Sequence, residues 1–400
     1  MSPQRPVAVT GAGCLCAAGA NLAACLEALF AGRRAPAPPS LFSTGHPASY
    51  PVFEVPEAFF PAAVPADPEL LRTARLAVAA SAEALADAGW EIGELRKLRV
   101  GVIVGTTVGS AMNNEEFYRD YRGGGRPDLA AIRRFLRSNP AAAVARHFGF
   151  DGPLQTVVNA CSSATDALGI AAQWLRDDLC DLVLAGGADE LCRTTYNGFI
   201  SLMITDTEAV RPFDRTRRGL NLGEGAGMLV LESDALVQRR PGRARARLVG
   251  YGGACDAHHL TAPHPEGAGL RRALEEALAG AGCAPGEIAF VNAHGTGTPD
   301  NDRVESRTLA EVLPGVPFLS TKGFTGHTLG AAGGIEAAFT LACLEQGRIP
   351  GSVGFAEADP ELPVAPVRQI TATQGRLALS QSLAFGGNNA VIIFAKGERA

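Results

Sequence analysis

Three residues of this chain have the types and settings for joint nucleophilic and hydrogen-bond chemistry: Cys161, His294 and His327. Cys161 follows Val157-Val158-Asn159-Ala160 and precedes Ser162-Ser163-Ala164, and almost no charge then appears until Arg176. Ala164, Ala167, Leu168, Ile170, Ala171, Ala172 and Leu175 make this stretch apolar on nearly every face, the mark of a buried helix. Cys161 is therefore expected where a strand ends and a central helix begins. Unpaired N–H groups and the helix dipole at that point favour thiolate over thiol. The same amides can donate to an oxyanion forming beside the sulfur. Cysteine is also a common inert core filler, so Cys161 taken alone leaves both roles open.

The histidines decide between them. Asn292-Ala293-His294-Gly295-Thr296-Gly297-Thr298 puts His294 at the end of a buried strand, with small residues opening a turn. Ser320-Thr321-Lys322-Gly323-Phe324-Thr325-Gly326-His327 repeats the arrangement. His327 is expected to begin a helix whose Gly330, Ala331, Ala332, Gly333 and Gly334 let another element approach closely. A helix N-terminus disfavours imidazolium, so His327 should be neutral and donate from Nε2. Either histidine alone is more often a core residue satisfied by a backbone carbonyl. A cysteine and two histidines, each at a strand end, read as a site.

The elements that position these residues alternate. Strands are expected at Val7–Thr10, Val100–Val104, Asp181–Ala185, Met228–Leu231, Arg247–Gly250, Ile288–Ala293, Phe318–Thr321, Leu377–Leu383 and Val391–Phe394. Helices between them, such as Leu270–Leu278, indicate an α/β chain with parallel strands and crossovers. Gly11-Ala12-Gly13 is read as a tight strand-to-helix turn, since Cys16 stands where a dinucleotide fingerprint needs its third glycine. Asn21–Ala31 reads as a capped helix, 32–66 as a long loop, and Asp67-Pro68-Glu69 as the start of a helix ended by Gly89. Asn113–Pro127 is expected to be a polar lid or partner-facing loop. Two similar βα halves suggest an internal duplication.

Composition excludes several classes. The 400 residues are 46% hydrophobic and 19% charged with net charge -5, which suits a globular core and gives no support for nucleic-acid binding. Nine scattered cysteines without a CxxC pair favour reduced thiols in a cytoplasm over disulfides or structural zinc. Gly11, Gly13 and Gly19 interrupt the apolar N-terminus that could otherwise pass for a signal peptide. No run of about 18 uncharged apolar residues occurs, so no membrane span is expected.

Taken together the motifs resemble the β-ketoacyl-[acyl carrier protein] synthases, the ketosynthase group of condensing enzymes in the thiolase superfamily. The resemblance runs from Val7-Ala8-Val9-Thr10-Gly11 through Ala160-Cys161-Ser162-Ser163, Ala185-Gly186-Gly187-Ala188-Asp189 and Gly223-Glu224-Gly225-Ala226-Gly227. It continues through Asp256-Ala257-His258-His259 and the two histidine runs to Ser382-Leu383-Ala384-Phe385-Gly386-Gly387-Asn388-Asn389. It implies an α/β, thiolase-like, five-layered α-β-α-β-α fold from two duplicated halves, residues 1–245 with the nucleophile and 246–400 with the histidines, as one integrated unit. It further implies decarboxylative condensation of a malonyl-carrier protein with an acyl chain on Cys161. His294 and His327 then bind the malonyl thioester carbonyl, and Lys322 supports them electrostatically, with Asp302 and Glu305 pairing with Lys322. Thr296 and Thr298 match the threonines that hold the phosphopantetheine arm. The N–H groups of Cys161 and Phe385 match an oxyanion hole, Phe385 a gate and Phe199 a neighbouring pocket aromatic.

No metal and no resident cofactor are implied, because the substrates ride on the phosphopantetheine of an acyl carrier protein. The implied partners are that carrier and a second ketosynthase-like subunit, in a homodimer or heterodimer. Some residues depart from the family pattern. Ala384 and Asn388 replace the glycine and threonine of Gly-Phe-Gly-Gly-Thr, Met203 replaces a basic residue, and Asp166 lies in the apolar helix and calls for a partner. These departures lean toward a specialised polyketide or aryl-polyene pathway over housekeeping fatty-acid elongation. Arg211, Arg215, Arg217 and Arg218 could meet an acidic carrier, although a solvated face is the default for such a run. A non-catalytic chain-length-factor-like subunit is the alternative, and Cys161, His294 and His327 weigh against it. A thiolase would need a second catalytic cysteine near the C-terminus, and none follows Cys343.

Overall fold

The computed structural model describes residues 3–64, 66–240 and 244–397. In chain order the strands are β1 (Val7–Cys16), β2 (Val100–Gly105), β3 (Leu154–Val157), β4 (Leu182–Asp189), β5 (Gly225–Glu232) and β6 (Ala246–Cys255). They continue with β7 (Ile288–Asn292), β8 (Phe318–Leu319), β9 (Arg348–Ile349), β10 (Thr371–Ala372), β11 (Leu377–Ala384) and β12 (Asn388–Lys396). Apart from the small β9–β10 pair, they join in one sheet of order β3-β2-β4-β5-β1-β6-β12-β11-β7-β8.

That order is a duplication. Read inward from either edge, the third and second strands of a half come first, then its fourth, fifth and first. The directions repeat as well: β3-β2-β4 and β8-β7-β11 are parallel, while β4-β5-β1 and β11-β12-β6 are antiparallel. The halves meet where Val7, Ala8 and Val9 of β1 pair with Leu248, Arg247 and Ala246 of β6.

Helices Ser163–Arg176 and Ala332–Gln346 pack on each other and on strands of both halves, forming the middle layer. Helices Arg72–Asp87 and Ala268–Ala281 cover the outer faces of β1–β5 and β6–β12 respectively, which completes the α-β-α-β-α stack. A middle helix has no solvent face, and residues 332–344 are all buried. The small residues that open this helix permit the close approach. A Cβ on Gly334 would sit 2.4 Å from the Gly227 carbonyl oxygen of β5.

Close approach also corrects the reading of Gly11 and Gly13. They do not turn the chain: β1 continues through them to Cys16. A Cβ at Gly13 would stand 2.1 Å from the Ala80 carbonyl oxygen, so these glycines seat helix Arg72–Asp87 on the strand. That helix starts at Arg72, four residues after the expected first position Pro68, because Asp67 instead closes a local turn to Leu70 and Glu69. Helix Leu22–Phe30 forms as expected, with Asn21 Oδ1 capping Ala24 N–H at 2.9 Å. The stretch from 113 contains helix Glu115–Arg122 and is not purely loop.

Gly13→Ala is expected to cost ~1–3 kcal/mol through overpacking, read as a lower urea midpoint. An unchanged midpoint would show that the helix yields without cost.

Candidate active site

The nucleophile sits on a sharp bend. β3 ends at Val157, Ala160 takes φ +47°, and the middle helix begins at Ser163, which lifts Cys161 into the cleft between the halves. Asp166 holds that bend. Its carboxylate accepts from Asn159 Nδ2 at 2.6 Å, Ser162 Oγ at 2.8 Å and Tyr251 OH at 2.9 Å. These are the partners that a buried acid in an apolar helix required.

His327 comes from the other half and stands five residues before the middle helix rather than beginning it, since a short 3₁₀ turn, Leu329–Ala331, intervenes. Its Nε2 lies 3.0 Å from Cys161 Sγ. Its Nδ1 accepts the Leu329 N–H at 3.3 Å, which leaves the ring proton on Nε2, facing the sulfur. The expected neutral donor is thus present. The Leu329 N–H fixes it here, and burial with the nearby Lys322 charge keeps its pKa well below the ordinary value.

His294 follows β7, and its ring centroid is 5.2 Å from that of His327 at 87°. Lys322 Nζ lies 3.1 Å from its Nδ1 and donates to its carbonyl oxygen at 2.7 Å. A cation on Nδ1 compels the His294 proton onto Nε2 as well. Burial, Lys322 and His327 all hold this ring neutral. One atom each of Cys161, His294 and His327 lie within 4.8 Å of one another. That spacing would suit a metal ion, but an ammonium beside one ring and protons on both Nε2 atoms oppose a cation there.

Two expected pairings fail. Asp302 and Glu305 do not touch Lys322. Glu305 accepts the N–H groups of His294 and Gly295 and the Gln381 amide, and Asp302 accepts from Phe213 N–H at 2.6 Å and Gly297 N–H at 3.2 Å. Both stabilise the backbone of the His294 turn, where buried N–H groups need acceptors. The partner of Lys322 is Glu336 Oε1 from the middle helix. Burial lifts the Glu336 carboxyl to about 7 while Lys322 draws it down. Glu336 was legible as the one charge within the apolar run 332–344. Asp189 was also missed. It accepts Gly330 N–H at 2.7 Å, Thr107 N–H at 2.8 Å and Thr106 Oγ1 at 2.6 Å, tying the His327 turn to the first half.

The expected thiolate is overturned. Burial pushes the Cys161 thiol up to about 12, against the opposing pull of Lys322 and of the Phe385 N–H that reaches the sulfur. Desolvating a full negative charge outweighs the helix terminus.

Around these groups lies a cavity of about 180 Å³ that also takes in Thr296, Thr298, Phe199 and Phe385. Thr296 and Thr298 hydroxyls are 2.8 Å apart, and the Phe199 and Phe385 rings stack at 5.4 Å and 14°. Asn388, the departure from threonine, donates from Nδ2 to the Phe385 carbonyl oxygen at 3.1 Å, while Gly386 and Gly387 take positive φ. The arginine run is spoken for within the chain. Arg211 and Arg218 pair with Asp206 and Glu208, Arg215 with Glu357, and buried Arg217 with Asp359 and Asp302. Met203 is 88% exposed.

Family models described as beta-ketoacyl synthase N-terminal and C-terminal domains match residues 4–236 and 245–356. The chain belongs to the β-ketoacyl synthase family. It is 33% identical over 339 residues to the 3-oxoacyl-[acyl-carrier-protein] synthase 2 of Synechocystis sp., covering 81% of this chain and 82% of that one. The ishigamide ketosynthase/chain length factor structure superposes with TM-score 0.91 at 32% identity, over 99% and 100% of the two chains. A beta-ketoacyl synthase from Burkholderia phymatum gives 0.91 at 30% identity, with the same coverage. As a β-ketoacyl synthase, the chain is an acyltransferase that forms carbon–carbon bonds.

Two outcomes are expected. Iodoacetamide labelling of Cys161 should accelerate about tenfold per pH unit from pH 6 to pH 10 without a plateau, since the thiolate fraction grows that way below a raised pKa. Lys322→Met should slow it at every pH, and a plateau near pH 7 would contradict the assigned thiol. Glu336→Gln should cost ~3–5 kcal/mol in urea unfolding by leaving Lys322 unpaired in the core, and the double variant Glu336→Gln with Lys322→Met should recover most of that.

Proposed function

We propose that this ketosynthase extends an acyl chain on Cys161 with a malonyl unit carried by an acyl carrier protein, in fatty-acid or polyketide elongation. Cys161 attacks the acyl-carrier thioester, the carrier thiol leaves with the proton, and the acyl group stays on sulfur. The N–H groups of Cys161 and Phe385 face the oxyanion of that step. Malonyl-carrier protein then enters and loses CO₂, and the electron pair of the broken bond becomes an enolate. His294 and His327 donate from Nε2 to the enolate oxygen, a charge-assisted pair in a dry pocket. The enolate carbon attacks the Cys161 thioester, releasing a 3-oxoacyl carrier product and the Cys161 thiolate, which takes a proton from water to return to the thiol.

The observation that carries this reading is the pair of neutral Nε2–H donors beside the sulfur. Proton shuttling would need a ring that titrates near neutrality, whereas both rings here are held well below it. Lys322 fixes the His294 tautomer, Glu336 balances Lys322, and Asp302 and Glu305 position the turn. Thr296 and Thr298 hold the phosphopantetheine arm, and Phe385 and Phe199 gate the acyl pocket. As proposed, the reaction calls on no resident cofactor.

We infer that the chain works as one of a pair, with a second copy or a chain-length-factor-like subunit. Edge strand β3 leaves Leu154 46% and the adjacent Val158 65% exposed, a strip that requires cover. The similar ishigamide protein, a ketosynthase/chain length factor by name, supports such a pairing. The reading of this chain as a non-catalytic subunit is disfavoured by the intact Cys161, His294 and His327. Among the described residues no helix is long and apolar enough to cross a membrane.

Intact-protein mass spectrometry with acyl-carrier thioesters tests the proposal. An acyl adduct in the parent that is absent from Cys161→Ala is expected. His294→Ala should still acylate yet lose malonyl decarboxylation by about 10²–10³-fold, the scale of a lost oxyanion donor. No adduct with any donor, or undiminished decarboxylation, would overturn the assignment.

A further inference from the structure

The fold gathers three cysteines that the sequence separates. Cys14 and Cys16 lie at the end of β1, and Cys25 lies one turn into helix Leu22–Phe30. All three are fully buried, and their sulfurs lie within 4.8 Å of one another, with Cys16 Sγ 3.6 Å from Cys25 Sγ. We propose that Cys14, Cys16 and Cys25 form a three-coordinate site for a soft monovalent cation, Cu(I).

Spacing supports it first. Metal–thiolate bonds of about 2.3 Å in a trigonal plane set sulfurs ~4.0 Å apart, inside the range observed here. Donor type comes second. Thiolate sulfur selects soft ions such as Cu(I). A four-coordinate ion such as Zn²⁺ also lacks a fourth ligand. The nearest carboxylate, Glu83, spends both oxygens on Cys14 N–H and Leu22 N–H at 2.8 Å each.

The sulfurs bind as thiolates, so each S–H proton that the ion replaces leaves to solvent. Entry requires only local opening of a nine-residue helix whose outer face, at Ala23 and Glu27, is exposed.

The test uses full-length Cys161→Ala protein, so that the catalytic thiol cannot take the ion. Anaerobic Cu(I) is supplied through bathocuproine disulfonate, and bound copper is counted by native mass spectrometry. One copper per chain is expected, with affinity falling at least tenfold in a further Cys16→Ala or Cys25→Val variant. Two variants are used so that a failure of one to fold leaves the other, and circular dichroism checks each. Zn²⁺ offered in parallel should bind far more weakly. Copper binding that survives both substitutions, Zn²⁺ held as tightly as Cu(I), or no bound copper would each overturn the proposal. This outcome is independent of the condensation chemistry.

Discussion

One buried ammonium governs the chemistry of this cleft. Lys322 Nζ occupies the space between His294 Nδ1, the His294 carbonyl and Glu336, with almost no access to water. A charge so placed is costly unless it is paired and hydrogen-bonded, and the lysine meets both conditions within its own half. What results is directional. The cation decides which nitrogen of His294 carries the proton, keeps both rings uncharged, and pulls modestly on the Cys161 thiol from the far side of the site.

Positioning the three reacting groups is a problem of backbone, and buried carboxylates solve it. Asp166 grips the bend around Cys161, Asp302 and Glu305 collect the N–H groups of the His294 turn, and Asp189 fastens the His327 turn to β2 and β4. Each acid sits where a strand ends and amides lose their ladder partners. Burial raises the Asp189 and Asp302 carboxyls to about 6 and Glu305 to about 7, so these contacts are set against a real desolvation cost. The same dryness leaves Cys161 as a thiol at rest and makes two neutral N–H donors effective toward an enolate.

Much of this was legible beforehand. Residues that must be small or reactive leave local signatures, so Cys161, both histidines and the alternating elements could be read from the chain, while the five layers were implied by its family resemblance. The failures share a cause: they depend on what lies across space. Gly11 and Gly13 look the same locally whether they turn a chain or admit a helix, and only the Ala80 and Ala84 carbonyls behind them decide. Asp302 and Glu305 were paired with Lys322 through the family resemblance, yet the ion pair goes to Glu336, 14 residues beyond the lysine on a middle helix. The thiol state of Cys161 followed from total burial, which a helix-dipole argument from sequence cannot weigh. Likewise Cys14, Cys16 and Cys25 show no metal spacing along the chain and meet only because a strand end and a helix fold together.

The central claim, two neutral imidazoles both protonated at Nε2, is open to direct observation by ¹⁵N NMR of the free enzyme labelled at histidine. His294→Ala and His327→Ala spectra would assign the two signals. Both rings are expected in the Nε2–H tautomer, with shifts that stay constant from pH 8 down to pH 5.5. An imidazolium signal for either ring near pH 6, or a proton on His294 Nδ1, would contradict the role given to Lys322.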